Sequence, residues 1–119
     1  MNYVNNKEFL RLIIEYKKTQ NRKVYNQLGK IFILIAENIL NKPSYINYTP
    51  DRKDEMISEA TLDMCRYIFI FDEEKSKNPF AYFTRTAYNA FNRYFNKQKK
   101  FKDKFISLSF IENFDEGVM

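Results

Sequence analysis

The sequence predicts an all-α protein, a compact bundle of about four helices, and three features carry that expectation. Apolar residues recur at three- and four-residue spacing through most of the chain, the period of a helix with one buried face. Two glycines and three prolines in 119 residues are too few for the tight turns of a sheet protein. The prolines stand between the apolar stretches or at the head of one, where helices stop and start. An apolar share of 45% lets one domain of this length fill a small core without metal or disulfide support.

The first helix is expected from Asn6 to about Lys18, where Phe9, Leu10, Ile13 and Ile14 form a stripe with Tyr16 on its flank and Asn5 or Asn6 as the cap. TQNRKVYN breaks the pattern, although Arg22 to Asn26 also suit the start of the next helix. The second helix, about Val24 to Leu40, holds IFILIA together with Leu28, Ile39 and Leu40. Apolar residues on almost every face mark it as the most buried element. NKPSYINYTPDRKDE is a connector punctuated by Pro43 and Pro50. A third helix from about Asp51 to Phe71 turns Ile57, Ala60, Met64, Tyr67, Ile68 and Phe71 inward. Its other face carries Glu55, Ser58, Glu59, Leu62, Arg66 and Phe69, acidic at the start and apolar further along. Two readings of Leu62 and Phe69 stand side by side: packing on the first helix, or anchoring a partner.

FDEEKSKN then leads into the fourth helix, which opens at Pro79 with Asn78 as its cap and runs to about Lys104. Phe80, Phe83, Ala87, Phe91 and Tyr94 share one side and belong in a core. Tyr82, Arg85, Asn89, Asn92, Arg93, Asn96 and Lys100 share the other, with no carboxylate among them. A run of lysines alone would read as a solvated surface. Asparagines and tyrosines interleaved with arginines add what base recognition needs beyond charge, namely amide hydrogen bonds and stacking. The remaining FISLSFIENFDEGVM, residues 105–119, is an apolar and acidic tail, either a short helix folded back on the domain or a hook for another protein.

Charge is divided sharply along the chain, whose formal net charge is +5. Asp51 to Glu74 holds eight acids against Arg52, Lys53 and Arg66, and the next thirty residues hold nine bases against Asp103. Two surfaces of opposite sign, set back to back, suggest two different partners. Catalysis has little to work with: there is no histidine, and neither Gly29 nor Gly117 lies in a phosphate-cradling loop. The acidic stretch lacks the spacing of an oxygen-rich metal loop. A non-enzyme without cofactor or metal is expected. The single cysteine, Cys65, rules out an internal disulfide and fits a reducing compartment. No signal pattern opens the chain, and no apolar run approaches the roughly 18 residues of a membrane span. A cytoplasmic protein with no membrane contact is expected.

The third and fourth helices carry a family resemblance. EMISEATLDMCRYIFIFD, Glu55 to Asp72, resembles the D-L-I-Q-E-G and following twelve residues ending in F-D of domain two in bacterial RNA polymerase sigma factors. LGKIFILIAENI resembles the pattern L-V-x-x-I-A-x-x-Y upstream, and AYFTRTAYN resembles the A-W-L-x-x-I-A-x-N of small extracytoplasmic-function sigmas. The order YVNNKEF, LIAE, EMI and FDEEKSKNPFAYFTRTAYNAF resembles the late-transcription sigma factors of T4-type phages, over nearly the whole chain to about Lys100.

The resemblance implies a sigma domain-two-like unit over residues 1–104 followed by the tail, working in an infected bacterial cell. It implies that the third helix binds host core RNA polymerase, at the clamp coiled coil of its largest subunit, through Glu55, Ser58 and Glu59; Leu62 and Phe69 suit as anchors. It implies that the fourth helix reads an A/T-rich −10-like late promoter and holds the melted non-template strand. Asn89, Asn92 and Arg93 would face bases, Arg85, Asn96, Lys97 and Lys100 would face phosphates, and Tyr82 or Tyr88 would stack. In that family a hydrophobic and acidic tail docks on the phage sliding clamp, and SLSFIENFDE has that character. Ser58 and Ala60 stand where the family has Gln and Gly. No tryptophan is present, so any wedge at the edge of melted DNA falls to tyrosine or phenylalanine, and 119 residues leave no room for a separate domain reading a −35 element. The alternative is a stand-alone helical DNA-binding transcriptional regulator, which gains nothing from Glu55 and Glu59. A third possibility is an interaction module whose charge serves solubility.

Overall fold

Four α-helices and one short 3-10 turn make up the regular structure of a computed structural model that describes residues 3–118, with side chains for residues 3–102. Helix α1 (Asn6–Thr19) starts where the Asn5 side chain accepts the Glu8 N–H, at 3.1 Å, and ends at Gln20 in the left-handed conformation, φ 50°. Helix α2 (Arg22–Leu40) follows after one further residue, Asn21, whose side chain accepts from the Lys23 N–H at 2.8 Å. Asparagine thus caps both helices, satisfying donors that the first turn leaves free. The connector forms a 3-10 turn at Pro43–Tyr45 and then α3 (Pro50–Arg66), capped by Thr49. Helix α4 (Pro79–Val118) has 40 residues. It begins at the expected Pro79, with the Ala81 N–H on Asn78 Oδ1 at 3.1 Å and the Phe80 N–H on Asn6 Oδ1 at 3.1 Å. Asn6 and Asn78 are themselves joined at 2.8 Å, so one pair of amides ties the starts of α1 and α4 together.

The core is a knot of aromatic rings. Phe83 is fully buried and lies 5.4 Å from Phe9, 5.0 Å from Phe32, 5.8 Å from Phe71 and 5.1 Å from Tyr82, ring centroid to ring centroid. Ala87, Phe91 and Tyr94 continue the buried side of α4 as its periodicity predicts, while Phe80 stays half-buried. Helix α1 lies against both α2 and α4, which rotates its buried arc toward Leu12, a residue outside the expected stripe. Helix α2, expected to be the most buried element, buries Val24, Leu28, Phe32, Ile35, Ala36, Ile39 and Leu40 but is one-sided, with Ile33 and Leu34 40% and 38% exposed. Met56, outside the stripe expected for α3, is 1% exposed. Among the described residues no helix is long and apolar enough to cross a membrane.

Two boundaries differ from the sequence expectation. Helix α3 stops at Arg66, not Phe71. The Tyr67 N–H bonds both Asp63 and Met64 carbonyls, the Ile70 and Phe71 N–H groups both close on the Tyr67 carbonyl, and this tightened turn lets Ile68 and Phe71 reach the core together. Tyr67 therefore leaves the inner stripe and is 37% exposed. At the other end, α4 runs on through the expected break near Lys104, and the side chains of the 105–119 tail lie outside the described residues.

A half-buried lysine holds the α3–α4 connection down. Lys17 donates to the Phe71 carbonyl and to Glu73 Oε2, the latter at 2.6 Å. The Lys17 bond, helped by a backbone hydrogen bond at Glu73, holds the Glu73 carboxyl below its usual range. A folded-state pKa below the unfolded one gives stability that is complete above about 4.3, the unperturbed glutamate value, and is lost as pH falls through the lower folded value. Glu73→Gln is accordingly expected to cost about 1 kcal/mol at neutral pH, and its difference from the parent chain to shrink below about pH 4.3. Denaturant melts across pH check this; a difference that stays constant into strong acid contradicts the pair's role.

Candidate nucleic-acid and partner interface

The basic side of α4 is open to solvent. Arg85, Asn89, Asn92, Arg93, Asn96, Lys97 and Lys100 are all exposed. No carboxylate stands among these residues of α4, but one reaches the face from across the bundle. Asp63 of α3 is 6% exposed and forms ion pairs with Arg93 and, at 3.2 Å, with Arg66. Burying a lone carboxylate would be costly, and two guanidiniums remove that cost. In return the planar guanidinium of Arg93 is held in one orientation with its side chain still 65% exposed. A residue expected to face bases is thus tied to a carboxylate of the neighbouring helix.

Beside Arg93 a cleft of about 390 Å³ opens between the end of α3 and α4. Tyr67, Tyr82, Arg85, Asn89 and Arg93 line it, with Thr86 and Asp63 at its floor. It combines aromatic surface, an amide and two cations in a space suited to one unstacked base. The tyrosines need a correction. Tyr82 is half-buried and packs edge-on against Phe71, 5.0 Å away at 66°, so it is part of the core rim and its ring is not free on both faces. Burial, with a smaller contribution from neighbouring Tyr67, raises its hydroxyl pKa. Tyr67 is the more open ring, and helical periodicity hid it by assigning it inward. Tyr88 lies at the edge of this face, on the flank of α4, where Lys42 donates to its hydroxyl.

The acidic face of α3 is also exposed at Glu55, Ser58 and Glu59. Glu55 accepts a hydrogen bond from the buried Tyr94 hydroxyl at 3.2 Å, and burial and then this bond raise the tyrosine's pKa. Glu55 therefore works partly within the domain, whereas Glu59 makes no ion pair or hydrogen bond among the described residues. The two charged surfaces are not back to back. They meet in a groove of about 360 Å³ whose walls bring Glu59, Leu62 and Arg66 of α3 opposite Arg93, Tyr94 and Lys97 of α4. The antiparallel run of α3 against α4 is the cause, since it places Asp63 and Glu59 beside successive turns of the basic helix.

On the far side of α3, Ser58 and Leu62 border a mostly apolar groove of about 520 Å³ shared with α2, where Tyr25, Gly29, Lys30 and Ile33 are among the lining residues, with Cys65 of α3. Leu62 is 53% exposed. The Tyr25 hydroxyl is pushed up to about 12, first by the neighbouring Cys65 thiol and then by burial. Sequence reading found α3's share of this groove and missed α2's, because Ile33 reads as core on an apolar helix. Phe69 does not share a helical face with Leu62. It sits in the turn after α3, 54% exposed, with its ring 5.7 Å from Tyr16 of α1. Phe69 thus packs on α1 and still shows half its surface.

Among the described residues no group of histidine, cysteine and carboxylate side chains is placed to hold a metal ion. The tail, the candidate sliding-clamp hook, lies outside the described side chains. Comparison of the sequence with models of protein families and with curated proteins finds no significant match in either.

Proposed function

We propose that this chain is a sigma-type transcription initiation factor, which joins a bacterial core RNA polymerase through α3 and directs it to an A/T-rich −10-like promoter through α4. The observation that supports this best is the cleft at the end of α3. Tyr67, Asn89, Arg85 and an Arg93 already fixed by Asp63 surround a space for one extruded base, and Lys97 and Lys100 follow along the same helix for the strand's phosphates. A/T-rich sequence suits such a cleft because its unpairing costs least. The exposed Glu59 and Leu62 beside it favour a protein partner over a stand-alone DNA binder, which would be repelled by the carboxylate and would leave the apolar groove uncovered.

Asn89→Ala and Asn92→Ala test the base-reading role without disturbing an ion pair. Each is expected to lower open-complex formation about tenfold, read as permanganate reactivity of promoter thymines, while duplex binding changes less than about twofold. Equal losses in both assays would reduce these asparagines to backbone contacts. Arg93→Ala is the poorer test, since it strips a buried carboxylate of a partner; paired with Asp63→Asn it becomes interpretable.

A further inference from the structure

A second aromatic cluster lies where the N-terminal segment, the end of α2 and the outer flank of α4 converge. Lys42 donates to the Tyr88 hydroxyl and its Nζ lies 5.1 Å from the Tyr88 ring centroid. Tyr3 stands beside them, 43% exposed, with its ring edge-on to Phe80 at 5.5 Å and 81°. Tyr45 completes the group from the 3-10 turn, half-buried against Phe91 at 5.9 Å. Burial raises the hydroxyl pKa of both Tyr3 and Tyr45, and the bond to Tyr88 raises that of the Lys42 ammonium. Three tyrosine side chains thus gather around one lysine.

Two things set this cluster apart from ordinary core packing. Phe80 and Phe91 already fill the apolar space behind it, and Tyr3 nonetheless stays 43% exposed. Lys42 is exposed and, among the described residues, pairs with no carboxylate; its only partner is a phenol. An unpaired lysine among tyrosines offers stacking surface and a phosphate contact together, the combination that binds single strands with little regard to sequence. The cluster also abuts the basic face, since Tyr88 is next to Asn89 and one turn from both Arg85 and Asn92 on α4.

We propose that Tyr3, Lys42, Tyr45 and Tyr88 form a binding site for single-stranded DNA. One base stacks on the open face of Tyr3, Lys42 leaves the Tyr88 hydroxyl for the adjoining phosphate, and the uncovered Tyr88 ring takes a second base while Tyr45 backs it. The choice of ligand rests on the function proposed above, with the strand passing from the α3–α4 cleft over the flank of α4.

The test needs no polymerase. The full chain is titrated into a labelled oligothymidylate of about 12 nucleotides and, separately, into an abasic oligomer with the same number of phosphates. Tyr3→Ala and Tyr88→Ala are expected to weaken the oligothymidylate about 5- to 20-fold and to leave the abasic oligomer within about twofold. Tyr3→Phe keeps the ring and the affinity. Lys42→Ala weakens both oligomers alike and lowers the salt dependence by about one phosphate. Unchanged oligothymidylate binding in both alanine variants overturns the site, and so does an equal loss on both oligomers, which would show the rings acting only through the fold. If these variants bind as predicted and polymerase-dependent transcription is absent, the site stands and the sigma reading falls; the opposite pattern removes the site alone.

Discussion

Replacing Phe83 by alanine is expected to cost about 3–5 kcal/mol of folding stability, the largest single effect in the domain. Phe83 is the ring on which the others converge: Phe9 from α1, Phe32 from α2 and Phe71 from the connection all lie within 5.8 Å of it. Truncation removes its own apolar area from the core and leaves a void that three fully buried rings on three different segments cannot fill together. A domain of this size is stable by about 5–15 kcal/mol, so the variant sits near the edge of folding at 37 °C. The basic face of α4 rides on this anchor, and DNA binding and promoter opening should fall together with stability. Urea melts check it: the midpoint drops while the slope is unchanged. A loss under about 1 kcal/mol would mean that the aromatic knot is not the core.

Reversing Glu59 to lysine should leave the fold intact and remove polymerase binding. Glu59 is exposed and makes no ion pair among the described residues, so no internal contact is lost. The new cation would join Arg66, Arg93 and Lys97, which already share that groove. A basic partner surface would then face like charge, at a cost of several kcal/mol, and retention on core polymerase should fall more than about 100-fold. Nonspecific duplex binding should hold or tighten slightly. Glu55 is a less clean choice because its carboxylate also accepts from Tyr94. Undiminished co-purification of the Glu59 variant would count against α3 as the polymerase-binding helix.

What the sequence made legible was local. Pro79 behind Asn78 marked the start of α4, and the spacing of Phe83, Ala87, Phe91 and Tyr94 marked its buried side, because capping and periodicity act over a few residues. What it concealed depends on contacts between distant segments. The end of α3 could not be read from YIFIF, which keeps a helical apolar rhythm; the turn is secured by Lys17, fifty-four residues before Phe71. Asp63 looked like one acid in an acidic stretch, and only the antiparallel seating of α3 on α4 brings it to Arg93. Tyr88 seemed one more ring near the basic face until Lys42 placed it on the flank. Exposure of Glu59, Asn89 and Asn92 agrees with the residue types chosen for the candidate site. Their neighbours Tyr67, Tyr25 and Ile33 went unseen because each has an equally good apolar role.

Whether one small helical domain couples a core polymerase to a melted promoter is decided by run-off transcription. Purified core polymerase is given a linear template whose only promoter element is an A/T-rich −10-like sequence, with and without the protein. A discrete run-off transcript that requires the protein and disappears with the Glu59→Lys variant is expected. Transcription that is the same with and without the protein, while the protein still binds DNA, would contradict it.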